Sequence, residues 1–272
     1  MKTFVVLTGV AAGALAATWV GLRVKPKPFP RYAVRTPELM KAPLPADLPQ
    51  PVARYFRAIA GQAGVATIHS AVLTGTLELR ISGLPMRGRF RIIHQAGKGY
   101  RHYLEATFFG WPILKVNEWY LDGVARLELP FGTVENEPKV NLAANLGLWA
   151  ESVWLPGILV TDPRVRWEAV GGTSARLVVP FDDESDDRLD VTFDPHTGLI
   201  RALEGKRFKG AEDVEKTGWR IEALGWRSFH GVRIPSPASL TWDDEGTPWS
   251  VWTIEDVVYN VDVSVYIRQS GL

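Results

Sequence analysis

The sequence predicts a mainly β, β-rich α+β protein: an incomplete antiparallel β-barrel with helices at its mouth, preceded by an N-terminal transmembrane helix. Three observations carry this reading. Beyond residue 64 the chain breaks into short alternating segments rich in β-branched and aromatic residues, separated by Gly, Pro, Asn and Asp. Two windows show instead the i, i+3, i+4 spacing of apolar residues that marks a helix. An almost uncharged apolar run opens the chain.

That run covers residues 3–24 and carries one charge, Arg23. At about 1.5 Å per helical residue, roughly 20 apolar residues cross a hydrocarbon core of about 30 Å, so the run is long enough for a single-pass anchor in the cell membrane. Lys2 and the small residues Ala14 and Ala16 also fit a cleaved signal, although the apolar run continues past that site through Trp19 and Leu22. Residues 1–24 are therefore read as anchor or signal. Arg23 closes the run and Lys25, Lys27, Arg31, Arg35 and Lys41 follow it, which by the positive-inside rule favours a cytoplasmic body, whereas an export signal implies the reverse; the side of the membrane stays open. Residues 25–48 contain Pro26, Pro28, Pro30, Pro37, Pro43 and Pro45, a density that prevents helix and reads as a semi-rigid stalk. The remainder, 49–272, is read as one β-rich half-barrel domain.

Within that domain Val52, Tyr55, Phe56 and Ile59 form the stripe of a first amphipathic helix. Strands are expected at 66–82, 86–95, 100–109, 113–121 and 124–129, with reversals at Gly83, Gly97 and Asp122-Gly123. A second helical window spans 141–155, where Leu142, Leu146, Trp149 and Val153 share a face and Pro156 ends the run. Strands resume at 165–170, 175–180, 188–193, 199–208, 218–228, 232–235, 238–242 and 247–266, with a hairpin at Asp194-Pro195-His196-Thr197-Gly198. The acidic run 182–187 lacks the spacing and glycine of an EF-hand and reads as a solvated loop.

Chemistry is constrained mainly by what is missing. The 31 Lys and Arg nearly balance 30 Asp and Glu, which gives no charge surplus for nucleic acid. No cysteine is present, which removes disulfides, thiolate metal sites and Cys nucleophiles. The five histidines show no metal-ligand spacing, so no metal site and no cofactor is expected. His94 and His102 fall on neighbouring strands and are read as a hydrogen-bonded or exposed pair rather than as ligands. Nucleophile elbow, P-loop and dinucleotide fingerprints are absent.

What stands out is tryptophan: ten of the eleven lie beyond residue 24, many on expected strands. They serve equally as core filling or as the lining of a cavity for an apolar ligand in a curved sheet. The candidate ligand-binding residues are Trp119, Trp149, Glu151, Trp154, Trp167, Arg207 and Trp242, with the Trp149–Trp154 helix as a lid and Glu151 meeting a head group. Glu151 alternatively pairs with an arginine such as Arg207.

Several stretches resemble a bacterial family of unknown function whose members carry an N-terminal membrane segment and a β-rich body. They are Leu48-Pro49 with Val52-Ala53-Arg54-Tyr55-Phe56, the block Trp149-Ala150-Glu151 with Trp154-Leu155-Pro156, Arg164-Val165-Arg166-Trp167, and Phe193-Asp194-Pro195 with Thr197-Gly198. The resemblance continues through Asp244-Glu245-Gly246-Thr247-Pro248-Trp249 to 255–262. It implies no activity. The order of elements is also similar, at the level of fold, to the lipoprotein-localisation (LolA/LolB-like) half-barrels, which implies a concave apolar sheet closed by helices. The function expected is membrane-tethered binding of a lipid or other apolar molecule. The alternatives are an enzyme on an apolar substrate using Glu151 with His94 or His102 as acid and base, and a structural envelope protein with a filled core.

Overall fold

The computed structural model describes residues 2–81, 83–181 and 186–272, with the side chains of residues 2–12 and 186 outside the description. Helix α1 (Lys2–Arg23), strand β1 (Lys41–Ala42), helix α2 (Gln50–Ala60) and strand β2 (Val65–Ala66) come first. A meander follows: β3 (Ser70–Ile81), β4 (Leu84–Gln95), β5 (Gly99–Phe108), β6 (Trp111–Leu121), β7 (Val124–Leu129) and β8 (Gly132–Glu135). Helices α3 (Pro138–Glu151) and α4 (Ile158–Thr161) interrupt it. The chain then forms β9 (Arg166–Gly171), β10 (Ser174–Pro180), β11 (Asp186–Phe193), β12 (Ile200–Arg207), β13 (Thr217–Ala223), β14 (Trp226–Phe229), β15 (Val232–Pro235), β16 (Ala238–Trp242) and β17 (Pro248–Tyr259).

Among the described residues 13 strands make one antiparallel sheet in the order β8-β7-β6-β5-β4-β3-β17-β16-β13-β12-β11-β10-β9. The last strand closes against the first of the meander, since β17 pairs with β3 from Ser250↔Leu79 to Tyr259↔Ala71. This joins two wings into one large antiparallel sheet whose edges, β8 and β9, do not pair with each other, so that, as the sequence predicts, the sheet is not closed into a barrel; the open form is termed a half-barrel. Side chains alternate between its faces.

The concave face holds the main core. Helix α2 buries its predicted stripe of Val52, Tyr55, Phe56 and Ile59 there. Helix α3 is buried continuously from Ala143 to Ala150, so it lies inside the half-barrel between the wings. It begins at Pro138, earlier than predicted, because proline suits the first turn of a helix, where its missing N–H is not needed. The predicted strand 218–228 is broken: the Leu224 and Gly225 N–H groups both donate to the Pro237 carbonyl and take the chain out of the sheet into the β14–β15 hairpin. The predicted strand 247–266 stops at Tyr259, where Asn260 adopts a φ of 55° and turns the chain away.

Residues 25–36, the first half of the Pro-rich segment, run along the convex face. Phe29 is buried against Tyr103, with ring centroids 5.6 Å apart. The Tyr259 N–H donates to Thr36 Oγ1 at 3.0 Å, and the Thr67 N–H to the Met40 carbonyl. The C-terminal tail covers the same face, where the fully buried Arg101 donates to the Tyr266 and Gly271 carbonyls.

Helix α1 meets the sheet at its last turn, where the Phe109 N–H donates to the Gly21 carbonyl at 2.7 Å. Among the described residues no helix is long and apolar enough to cross a membrane. Much of the expected span falls on residues 1–12, whose side chains lie outside the described residues. The acidic run 182–187 falls mostly on 182–185, which are also outside them.

Candidate functional site

Strand register assembles a polar cluster on the concave face. His94 on β4 lies opposite Tyr100 on β5. On the next strand Tyr100 faces Tyr120 and His102 faces Glu118. His94, Tyr100, His102 and Glu118 thus share one face, and α3 brings Glu151, its last residue, down onto them. His94 Nε2 and His102 Nε2 lie 2.8 and 2.9 Å from the same oxygen, Glu151 Oε2. The Tyr100 hydroxyl donates to Glu118 Oε1 at 2.6 Å, and the other Glu118 oxygen stands 3.9 Å from His102 Nδ1.

These contacts set the charge states. Burial raises the cost of ionising Glu151, but the two imidazoles outweigh it and hold the carboxyl at about 2, against an ordinary 4.5. For His102 burial disfavours the imidazolium, yet Glu151 and Glu118 overcome that and raise its pKa above 6.5. For His94 burial wins, and its pKa falls below 6.5 in spite of Glu151. Burial, then Glu118 and Glu151, push the Tyr100 hydroxyl well above its ordinary 10.0, so it stays a donor. The cluster is therefore an ionised Glu151 that accepts from both imidazoles, with His102 biased towards its charged form by the carboxylates and His94 towards its neutral form by burial. The three donor atoms lie within 4.8 Å of one another, a set that could hold a metal ion, although hydrogen bonding already satisfies it.

The cluster forms one end of a cavity of about 310 Å³ between α3 and the two wings. Its walls are mainly apolar, with Leu104 and Leu127 from one wing, Ala143 and Ala144 from α3, and Trp219, Trp242 and Trp252 from the other side, and they also include Arg126 and Lys209. Arg207, at the end of β12, reaches the same space with its guanidinium 4.7 Å from the Trp219 ring centre and 5.8 Å from that of Trp242. No acceptor among the described residues takes up Arg207 Nε, which is buried.

Of the expected ligand residues, Glu151, Arg207 and Trp242 line this cavity and the other four do not. Trp149 is 1% exposed and donates to the Pro180 carbonyl at 3.2 Å. Trp154 is buried in the core beside His94, and Trp167 donates to the Leu159 carbonyl at 2.9 Å. Trp119 pairs in register with Arg101, on the convex face. Glu151 takes the two histidines as partners rather than Arg207. Sequence reasoning missed Tyr100, Glu118, Trp219 and Trp252. The hairpin around Gly97 was the available signal, since it sets His94 opposite Tyr100 and puts His102 on the same face two residues on.

Residues 38–254 match the model of a family of unknown function, DUF6544. The chain belongs to this family. No curated protein matches it. Among solved structures this DUF6544 chain is similar to a DUF1329 family protein from Desulfovibrio piger, with a TM-score of 0.46 and 14% identity over 75% of this chain and 91% of that one. A LolA superfamily protein from Nitrosomonas europaea gives 0.45 and 8% over 80% and 96%. An outer membrane lipoprotein-sorting protein domain from Vibrio parahaemolyticus, itself described as putative, gives 0.43 and 11% over 80% and 92%.

Proposed function

We propose that this DUF6544 protein holds an amphipathic, mainly apolar molecule in the concave face of its half-barrel, at a membrane to which α1 tethers it. The observation that carries the reading is the cavity itself. Its volume of about 310 Å³ lies at the lower end of ligand sites, roughly 300–1,000 Å³, and it combines mainly apolar walls with a few convergent polar groups at one end. Trp219, Trp242 and Trp252 accept the apolar part; Arg207, Tyr100 and His102 meet the head. The tether rests on the apolar run 3–24 and on the exposure of Leu15, Trp19 and Val20 along α1.

The test is the polarity-sensitive emission of a directly excited anthroyloxy-labelled stearate titrated into the full chain. Trp219→Ala with Trp242→Ala weakens binding at least tenfold, or about 1.4 kcal/mol. Equal affinity in the variant and the parent contradicts the site.

A second reading is favoured by one observation: two imidazoles share a carboxylate oxygen at the polar end of the cavity. That arrangement supplies an acid and a base to a bound substrate. In an enzyme, Glu151→Gln removes turnover while probe binding survives; a lipid screen without turnover counts against it.

A further inference from the structure

The turns of the β3–β8 meander divide into two edges of different character. Along one edge lie the β3–β4, β5–β6 and β7–β8 turns; the β4–β5 and β6–β7 turns lie on the other. The first three tips are apolar and exposed, whereas the β12–β13 and β16–β17 connections of the other wing, on the same edge, carry Lys209, Asp213, Asp244 and Glu245. The β3–β4 turn presents Ile81 and Leu84, the β5–β6 turn Trp111 and Ile113, and the β7–β8 turn Leu129 and Phe131, with Trp111 77% and Phe131 94% exposed. The turns opposite them carry Lys98 and Asp122-Gly123 instead. Scattered exposed apolar residues need no explanation, but three consecutive tips on one edge do.

Backbone conformation sharpens the contrast. Both Asp122-Gly123 and Phe109-Gly110 turn with positive φ at each residue, 54° and 81° in the first, 49° and 80° in the second. Aspartate tolerates that region; a phenylalanine there is strained. The fold places an exposed aromatic where a small polar residue would sit with less strain, and such strain gathers at functional positions. Helix α1 leaves from the same tip, with Gly21 so close that a Cβ would lie 2.4 Å from the Phe108 ring. Along α1, Arg23 stacks on the exposed Trp19 at 3.8 Å, the pairing of an aromatic and a cation that suits a membrane interface. The cavity reaches this edge too, since Phe208 and Gly210, which follow β12, and Trp249, near the start of β17, belong to its lining.

From these observations we infer that the β3–β4, β5–β6 and β7–β8 tips insert into the interface of a lipid bilayer beside α1, so that the cavity opens at the membrane surface. The inference rests on the tethered reading above and adds the orientation of the domain and the route by which a lipid enters it.

The absence of cysteine makes the test direct. Single substitutions Trp111→Cys, Phe131→Cys and, on the opposite edge, Gly172→Cys are labelled in the full chain with a nitrobenzoxadiazole dye. The protein is then floated with vesicles of phosphatidylcholine and phosphatidylglycerol. Labels at 111 and 131 shift to the blue and are quenched by doxyl lipids, while the label at 172 does neither. A chain that floats with all three labels still in water overturns the docking edge and leaves the tether standing. A chain that does not float overturns both. A blue shift at 111 and 131 before vesicles are added overturns the inference as well, because a second copy of the chain then covers the edge.

Discussion

Two imidazoles share one oxygen of Glu151, and the sharing ties the stability of the fold to pH. Glu151 is held at about 2, below its ordinary 4.5, so its contribution is present above about 4.5 and is lost as pH falls towards 2. His102 has the opposite sign: with its pKa raised, its contribution is full below 6.5 and is lost as pH rises through the folded value. His94 is lowered by burial, so protonation below 6.5 favours the unfolded chain. Thermal midpoints measured against pH therefore fall on the acid side in two stages, the first from His94 and the second from Glu151. In Glu151→Gln the second stage is lost relative to the parent; identical acid limbs in the two proteins contradict the assigned charges. The sequence pointed to Glu151 and named both histidines as its possible helpers. It hid their meeting, because the contact depends on where the end of α3 lands on a sheet some fifty residues earlier in the chain.

At the scale of elements, α3 is a bolt rather than a flap. Asn145 Nδ2 and Trp149 Nε1 both donate to the Pro180 carbonyl at the end of β10, at 3.0 and 3.2 Å, while the Tyr120 hydroxyl of the other wing donates to Asn145 Oδ1 at 3.4 Å. Trp149→Phe removes one buried hydrogen bond and lowers stability by about 1 kcal/mol, but leaves the affinity for the labelled stearate unchanged. A loss of affinity without a loss of stability would instead make the helix a lid. The seam between the wings has its own requirement. Opposite Gly75 the β17 register shifts between Ile254 and Asp256, and a Cβ on Gly75 would stand 2.0 Å from the Thr253 carbonyl oxygen. Gly75→Ala destabilises by about 3 kcal/mol in denaturant titration, the upper end of overpacking; a neutral result would mean that the seam can relax. Most strands and both longer body helices were legible because alternation and the α2 stripe are local patterns. The break at Leu224-Gly225 was not, since it depends on the carbonyl of Pro237, on the far side of the β14–β15 hairpin.

For the whole molecule, the half-barrel follows from alternation and closely spaced turns, but closure of the sheet by β17 on β3 is a pairing across nearly the whole domain that no local pattern contains. The site was legible in part for the same reason. Ten tryptophans announce a large aromatic interior without saying which of them line space and which fill it. Trp242 lines the cavity, whereas Trp149 and Trp154 are packed into the core around it. The Pro-rich segment shows how composition can mislead about placement: proline excludes helix, but it does not prevent residues 25–36 from lying on the convex face with Phe29 buried. The central claim is that the concave face holds a ligand, and its most direct test is native mass spectrometry of the full chain released from mild detergent, followed by denaturing extraction. The account predicts a stoichiometric adduct that extracts as an amphipathic molecule with a long apolar part, absent from the Trp219→Ala, Trp242→Ala variant. A folded parent chain that carries no adduct, even after exposure to a total lipid extract, would contradict it.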